Sequence, residues 1–330
     1  MKISLVTTLY RSASHLEEFY SRASEAAVAL TDDFEVVFVN DGSPDNSLEI
    51  ALAIQEGDAR VSVIDLSRNF GHHRAMMTGL AHAKGDLIFL IDCDLEEEPE
   101  LLGRFLEELR RAKADVVFGV QPRRKGRWFE RLSGSLFFKV FNLLSTDPIP
   151  ENLITARLMT KRYVAALVQH QEREFIIAGL WALTGFEQVA VPVVKHHRGS
   201  SSYGLGRKTR HLVNAITSFS GRPLVLIFYL GTILVVLAGL AALDLIIRKL
   251  VFGQLLQGWA SLIVSIWLLG GITIFCLGVV AIYLSKIFIE VKRRPYAIVR
   301  KIYHGRKPVL AKLDRDSAGR ASEETDGAGL

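Results

Sequence analysis

From Met1 to Val120 the chain alternates short, dense apolar runs with longer stretches whose apolar positions recur at helical spacing. The runs Ile3–Leu9, Phe34–Asn40, Val61–Leu66, Leu87–Ile91 and Asp115–Val120 are rich in Val, Ile, Leu and Phe and predict strands. The spacing predicts helices over Ser14–Leu30, with Ser12 or Ser14 as cap, over Gly71–Lys84 and over Pro99–Ala112. Strands alternating with helices in this way predict an α/β fold, a Rossmann-like, mostly parallel sheet with helices on both faces. Trp128–Leu144 is apolar on one face and carries Arg131 and Lys139, a pattern that suits packing either on the core or on a membrane surface. No internal repeat is evident.

The pattern changes after Gly221. Pro223–Ile247 and Trp259–Ile289 are apolar and longer than the roughly 20 residues that cross a ~30 Å hydrocarbon core. The alternative is a pair of buried helices in a soluble protein, but runs this long and this free of charge are rare there. Asp244 falls near the end of the first run and suits an interface, as do Tyr229, Trp259, Trp267 and Tyr283. The linker Arg248–Gly258 carries only Arg248 and Lys249. The outer flanks are more basic, with Arg207, Lys208, Arg210 and Arg222 before the runs, Lys286 at the end of the second run, and Lys292, Arg293, Arg294, Arg300 and Lys301 after it. The positive-inside tendency then places the N-terminal part and the C-terminus in the cytoplasm, with a multi-pass hairpin in the inner membrane. The expected organisation is a cytoplasmic domain over 1–222, a two-helix hairpin over 223–289, and a basic segment with a disordered tail over 290–330.

Composition agrees with this division. The 330 residues are 49% hydrophobic and the mean hydropathy is +0.24, high for a wholly soluble protein. The net charge of +5 is concentrated around the apolar runs, which points to a membrane-surface collar rather than a nucleic-acid groove. The two cysteines, Cys93 and Cys276, lie in unlike settings, so no disulfide framework is expected. MKISLVTTLY reads as a first strand, not as a signal peptide.

Three polar stretches carry candidate chemistry. In LIFLIDCDLEEEPE, Asp92 and Asp94 follow an apolar strand, at the rim where α/β sheets bind ligands. Paired hard oxygen donors suit Mg²⁺ or Mn²⁺ carrying a phosphate, although an acidic turn preceding a helix near Pro99 would look the same. In VNDGSPDNS, Asp41 leaves the second strand and is placed to accept hydrogen bonds from a nucleobase or ribose, yet DGS is also ordinary turn chemistry. Arg68, Asn69, Gly71, His72, His73 and Arg74 open a helix, where cations and a helix N-terminus suit phosphate. Adjacent histidines diverge on a helix, which argues against a shared metal.

Together VNDGSPDNS, SRNFGHHRAMMTGL, IDCDLEEEPE, RLMTKRY and EVKRRPY resemble, in this order, the motifs of glycosyltransferase family 2, specifically its polyprenyl-phosphate glycosyltransferases. The resemblance covers nearly the whole chain except the tail. It implies a GT-A fold and donor contacts from Thr8, Tyr10 and Asp41, with Arg68 in the phosphate-binding run. It implies that Asp92 and Asp94 bind the cation on the donor diphosphate, with Asp94 catalytic and Glu96 a third ligand in place of the usual Gln. It also implies that Arg127, Arg131 and Ser135 hold the acceptor phosphate, Arg131 as a catalytic group. The implied partners are a nucleotide-sugar donor, a polyprenyl-phosphate acceptor, inner-membrane lipid and a second copy of the chain as homo-oligomer, and no nucleic acid. The implied reaction is inverting transfer of a sugar, from a UDP-sugar, for cell-envelope glycan modification.

The chain departs from the pattern in two places. Its first strand ends T-L-Y-R instead of P-x-Y-N, and Thr155 stands where relatives often have an aspartate that is a candidate base. A lipid phosphate is already anionic near neutral pH and needs no strong base, whereas a lipid hydroxyl does. The rival readings are a transferase acting on a lipid hydroxyl and a non-catalytic membrane scaffold with a degenerate transferase domain.

Overall fold

The structure is a computed structural model that describes residues 1–121, 152–173, 175, 177–194, 221–252, 258–304 and 307–309. The elements run β1 (Ile3–Leu9), α1 (Leu16–Val28), β2 (Phe34–Asn40), α2 (Ser47–Gly57), β3 (Val61–Leu66), α3 (His72–His82), β4 (Leu87–Leu90), α4 (Leu101–Ala112) and β5 (Val116–Val120). They continue as β6 (Leu153–Thr160), α5 (Lys161–Leu167), α6 (Ile177–Leu183), β7 (Gln188–Pro192), α7 (Arg222–Phe252), α8 (Trp259–Val291), β8 (Val299–His304) and β9 (Lys307–Val309). The predicted strands and helices are present. At α1 the residue before the helix is His15, with no side-chain cap, while Ser12 is engaged by the Tyr10 amide instead. The Trp128–Leu144 segment, the flanking Arg207, Lys208 and Arg210, and the tail lie outside the described residues.

The described strands form one nine-stranded sheet in the order β7-β5-β6-β4-β1-β2-β3-β8-β9. Its centre, β4-β1-β2-β3, is parallel, as the alternation of strands and helices predicts. Both flanks make the sheet mixed, because β6 runs antiparallel between β4 and β5, and β8 runs antiparallel to β3. The parallel registers align Leu9 with Asn40 and Asn40 with Asp65, so the exits of β1, β2 and β3 share one edge, at which β4 also ends.

Alternate residues of each central strand feed two cores, which is why these strands read as dense apolar runs without a strict inside–outside alternation. Ile3, Leu5, Leu9, Val36 and Phe38 pack under α1 and α4, where Leu16, Phe19, Ala23 and Ala27 form the buried stripe of α1. Val6, Val37, Val39 and Ile64 pack on the other face against Met76, Met77 and Leu80 of α3 and Tyr163 and Leu167 of α5. Helix α2 is absent from the predicted elements, and its fully buried residues explain why: Ser47, Ala51 and Gln55 make a small and partly polar face.

Helices α7 and α8 span 31 and 33 residues. Both are long and apolar enough to cross a membrane, and among the described residues nothing buries their apolar stretches. The chain then returns to the sheet. In β8, Ile302 pairs with Ile64 and Tyr303 with Val63. Arg300 places one guanidinium nitrogen 3.4 Å from the buried Asp65 and donates from the other to the Ser67 carbonyl at 2.6 Å. An unprotected β3 edge would expose a template for aggregation, and β8 covers it.

Candidate active site

The shared strand edge is built from loops that bind one another. After β1, the Arg11 amide donates to Ser43 Oγ (2.7 Å), the Ser12 amide to Ser47 Oγ (3.0 Å) and the Ala13 amide to Asp45 Oδ2 (3.2 Å). Asp45 also accepts from the Ser43 and Ser47 hydroxyls at 2.5 and 2.6 Å. Burial works to raise the Asp45 pKa, but these hydrogen bonds outweigh it and bring it down to about 2. The loop after β1 is thereby fixed to the turn after β2. Tyr10 stands exposed on this rim, while Thr8 is buried just inside it.

Asp41 is buried, and its two oxygens accept the amides of Phe70 (2.7 Å) and Gly71 (3.0 Å). Burial pushes its pKa up; the two amides, together with His72 and Arg68, act the other way. Gly42 makes this approach feasible. Its φ is +58°, and a Cβ there would stand 2.5 Å from the Asn69 nitrogen and 2.6 Å from the Arg68 carbonyl carbon. The Asp41 carboxylate is thus a structural clamp holding the turn that opens α3. Arg68 lies beside this clamp with its guanidinium 4.1 Å from the Phe70 ring centroid.

The acidic loop follows β4. Burial alternates along it: Ile91, Cys93, Leu95 and Glu97 are buried, while Asp92, Asp94 and Glu96 are partly exposed. Leu95 holds a φ of +58°, a strained conformation for a residue with a Cβ, and Asp94 accepts the Glu96 amide across it at 2.9 Å. The Cys93 thiol donates to the Thr8 carbonyl (3.2 Å), and burial pushes its pKa up to about 12, so it stays an inert thiol.

Asp92 is approached at both oxygens. Thr155 Oγ1 donates to its Oδ2 at 2.7 Å, and His72 Nε2 lies 3.2 Å from its Oδ1. His72 Nδ1 is 2.9 Å from Thr8 Oγ1. Loss of water works against charge on the His72 ring, but Asp92, then Asp41 and Asp94, outweigh it and raise its pKa. Glu97 turns inward and receives the Thr155 amide at 3.1 Å and the Ala156 amide at 2.7 Å, one on each oxygen. Next along β6, Arg157 is fully buried over the Trp181 ring. Burial brings its pKa down to about 9, while Tyr163 and Glu97 act to raise it.

The structure therefore brings Thr8, Asp41, Arg68, Asp92, Asp94 and Glu96 to one edge of the sheet, with Tyr10 on its rim. Arg127, Arg131 and Ser135 lie outside the described residues. Among the described residues, no three His, Cys, Asp or Glu side chains are grouped closely enough to hold a metal between them. Sequence reasoning gave Glu97 no part and treated Thr155 only as a missing acid. Nothing in the run Glu96-Glu97-Glu98 distinguishes the inward-facing member.

The profile of "Glycosyl transferase family 2" matches residues 4–169. A Mycobacterium tuberculosis (strain CDC 1551 / Oshkosh) protein with a provisional glycosyltransferase name is 54% identical over 303 residues, 92% of this chain and 89% of that one. The uncharacterized glycosyltransferase YkcC of Bacillus subtilis (strain 168) is 33% identical over 92% of this chain and 94% of its own. The SfII prophage-derived bactoprenol glucosyl transferase of Shigella flexneri is 34% identical over 309 residues, 92% of this chain and 99% of its own.

Proposed function

The chain belongs to glycosyl transferase family 2, and from that premise we propose that it transfers a sugar from a nucleotide-sugar to a polyprenyl phosphate at the inner face of the cytoplasmic membrane. Its mixed sheet with flanking helices is GT-A-like, and the protein is a glycosyltransferase. The observation that carries the acceptor reading is the extent of the likeness to the bactoprenol glucosyl transferase, 92% of this chain and 99% of that one. Only 8% of this chain falls outside it, so most of the long apolar helices fall within it.

The donor, a UDP-sugar in this reading, lies across the strand exits. Arg68 and the start of α3, held by Asp41, face its diphosphate. Asp92 and Asp94 present hard oxygens, with the His72 ring 3.2 Å from one Asp92 oxygen, and among the described residues no three such side chains close into a complete metal cage. That donor set fits Mg²⁺ or Mn²⁺, which take phosphate oxygens and water for the rest of their shell. The ion, when bound, neutralises charge developing on the departing diphosphate. Arg127, Arg131 and Ser135 hold the lipid phosphate. A phosphate oxygen attacks the anomeric carbon from the face opposite the diphosphate. The bond from that carbon to the diphosphate breaks, its electron pair leaves with the nucleoside diphosphate, and configuration inverts. No proton has to be removed from the acceptor, which agrees with a threonine at position 155. Helices α7 and α8 form a membrane hairpin whose basic flanks face the cytoplasm, so the meeting with the lipid becomes effectively intramolecular.

The test is a donor screen with full-length protein in detergent, Mg²⁺ or Mn²⁺, and undecaprenyl phosphate or diacylglycerol as acceptor, with products read by mass spectrometry. A polyprenyl-phosphate sugar, lost on chelation and lost in Asp94→Ala without a change in thermal midpoint, is the expected result. Transfer to diacylglycerol alone refutes the acceptor, and turnover in chelator refutes the metal.

A further inference from the structure

We propose that Thr155 is a positioning residue: its hydroxyl fixes the Asp92 carboxylate in the orientation that receives the cation on the donor diphosphate. The inference rests on the reading of Asp92 given above and deepens it. It begins from strand register. Strand β6 runs antiparallel to β4 with Leu90 opposite Arg157. Continuing that register past the last pair sets Ile91 opposite Ala156 and Asp92 opposite Thr155. Directly opposed residues of an antiparallel pair share a face and are the closest cross-strand neighbours. The Thr155 hydroxyl accordingly meets Asp92 Oδ2 at 2.7 Å.

The hydroxyl is itself held. Glu97, on the same loop as Asp92, takes the Thr155 amide on one oxygen (3.1 Å) and the Ala156 amide on the other (2.7 Å). Two links thus join the acidic loop to β6, from Asp92 to the Thr155 side chain and from Glu97 to the Thr155 backbone. With its backbone fixed, the threonine presents its hydroxyl from one place. On the opposite side His72 Nε2 stands 3.2 Å from Asp92 Oδ1, and Thr8 Oγ1 is 2.9 Å from the other ring nitrogen. Asp92 therefore lies between β6 and α3, hydrogen-bonded through Oδ2 to Thr155 and with Oδ1 facing the His72 ring.

A neutral donor suits this position. Groups that hydrogen-bond a ligating carboxylate orient it, and their loss typically costs about 10–100-fold in metal affinity or activity. A carboxylate at 155 would instead put like charges directly opposite each other, which is destabilising. Position 155 in this chain therefore serves the donor side of the reaction through Asp92 and is not a base for the acceptor.

The experiment is a Mn²⁺ titration of the full-length protein in detergent, with free Mn²⁺ read by electron paramagnetic resonance, alongside steady-state kinetics. Wild type, Asp92→Asn, Thr155→Val, Thr155→Ser, Thr155→Ala and Thr155→Asp are compared. Thr155→Val keeps the shape and the strand preference but removes the hydroxyl, so the Kd for Mn²⁺ rises about tenfold or more. Thr155→Ala gives the same loss by a different shape. Thr155→Ser, which keeps the hydroxyl, stays within about threefold of wild type, and Thr155→Asp binds at least as poorly as the valine variant. If Asp92→Asn weakens Mn²⁺ binding and Thr155→Val does not, the Thr155 assignment falls while the reading of Asp92 stands. If wild type takes up no Mn²⁺, or Asp92→Asn leaves the affinity unchanged, the reading of Asp92 falls and takes this one with it. A Thr155→Asp variant with turnover above wild type also overturns the proposal, because the position would then favour an acid.

Discussion

Replacing Glu97 with glutamine removes one oxygen and one charge from a carboxylate that has no solvent exposure. The carboxylate accepts two backbone amides, at 3.1 Å from Thr155 and 2.7 Å from Ala156. Glutamine keeps one acceptor, so one of these amides then faces an NH₂ group in the interior. A lost hydrogen bond to a charged group is worth about 1.5–3 kcal/mol, and a stranded buried donor adds to that. The fully buried Arg157 guanidinium loses its favourable interaction with Glu97 as well. The expected destabilisation is about 3 kcal/mol. At about 2–4 °C per kcal/mol for a unit of 150–250 residues, the thermal midpoint falls by about 6–12 °C. The assay is thermal unfolding followed by far-ultraviolet circular dichroism, with Glu98→Gln as the control. Glu98 is exposed, and its substitution should move the midpoint by less than about 2 °C. A Glu97→Gln midpoint within about 2 °C of wild type would show that the carboxylate does not hold β6 to the acidic loop.

The Gly42→Ala substitution places a Cβ 2.5 Å from the Asn69 nitrogen at a φ of +58°. It should separate Asp41 from the Phe70 and Gly71 amides and weaken nucleotide binding by about tenfold or more, a loss of about 1.4 kcal/mol that calorimetry would detect. The Asp45 pKa is held at about 2, below its unfolded value of about 3.9. Its contribution to stability is therefore complete above about pH 4 and is lost as pH falls toward 2. Thermal midpoints of Asp45→Asn measured from pH 2 to 6 should lack that portion of the wild-type slope, and identical slopes would refute the assignment. In Arg300→Ala, Asp65 keeps Asn40 (2.8 Å) but loses the cation 3.4 Å away, and Ser67 loses a donor. A loss of about 1–2 kcal/mol is expected in a urea unfolding series, and an unchanged urea midpoint would refute it.

How much of this was legible in the chain depended on whether the burial pattern left a mark on residue type. Strands β1, β2 and β3 coincide with the predicted runs because both faces are buried and Val, Ile, Leu and Phe make up most of each. Helix α4 was legible because Leu102, Phe105, Leu106 and Leu109 recur on one face among charged residues. Strand β8, VRKIYH, was not legible. It is a short strand next to the sheet's edge, with basic residues close after a long apolar run, and in sequence it reads as part of a collar. At the site, the exits of β2 and β4 announced Asp41, Asp92 and Asp94. The inward turn of Glu97 and the meeting of Thr155 with Asp92 were not announced, because both depend on an antiparallel pairing between segments 63 residues apart. Asp41 also shows how one residue can carry two readings. Its carboxylate is engaged by its own chain through Phe70 and Gly71, a contact that the turn-like sequence DGS does not reveal.

Strand β8 also imposes an order of events on biosynthesis. It is translated after α7 and α8, yet its partner β3 lies near the start of the chain. The nascent protein must therefore hold an incomplete sheet, with Val61–Leu66 lacking one neighbour, until both greasy helices have left the ribosome. Completion of the sheet is thereby timed to follow synthesis of α7 and α8, and a copy cut short before Val299 would carry an adhesive border.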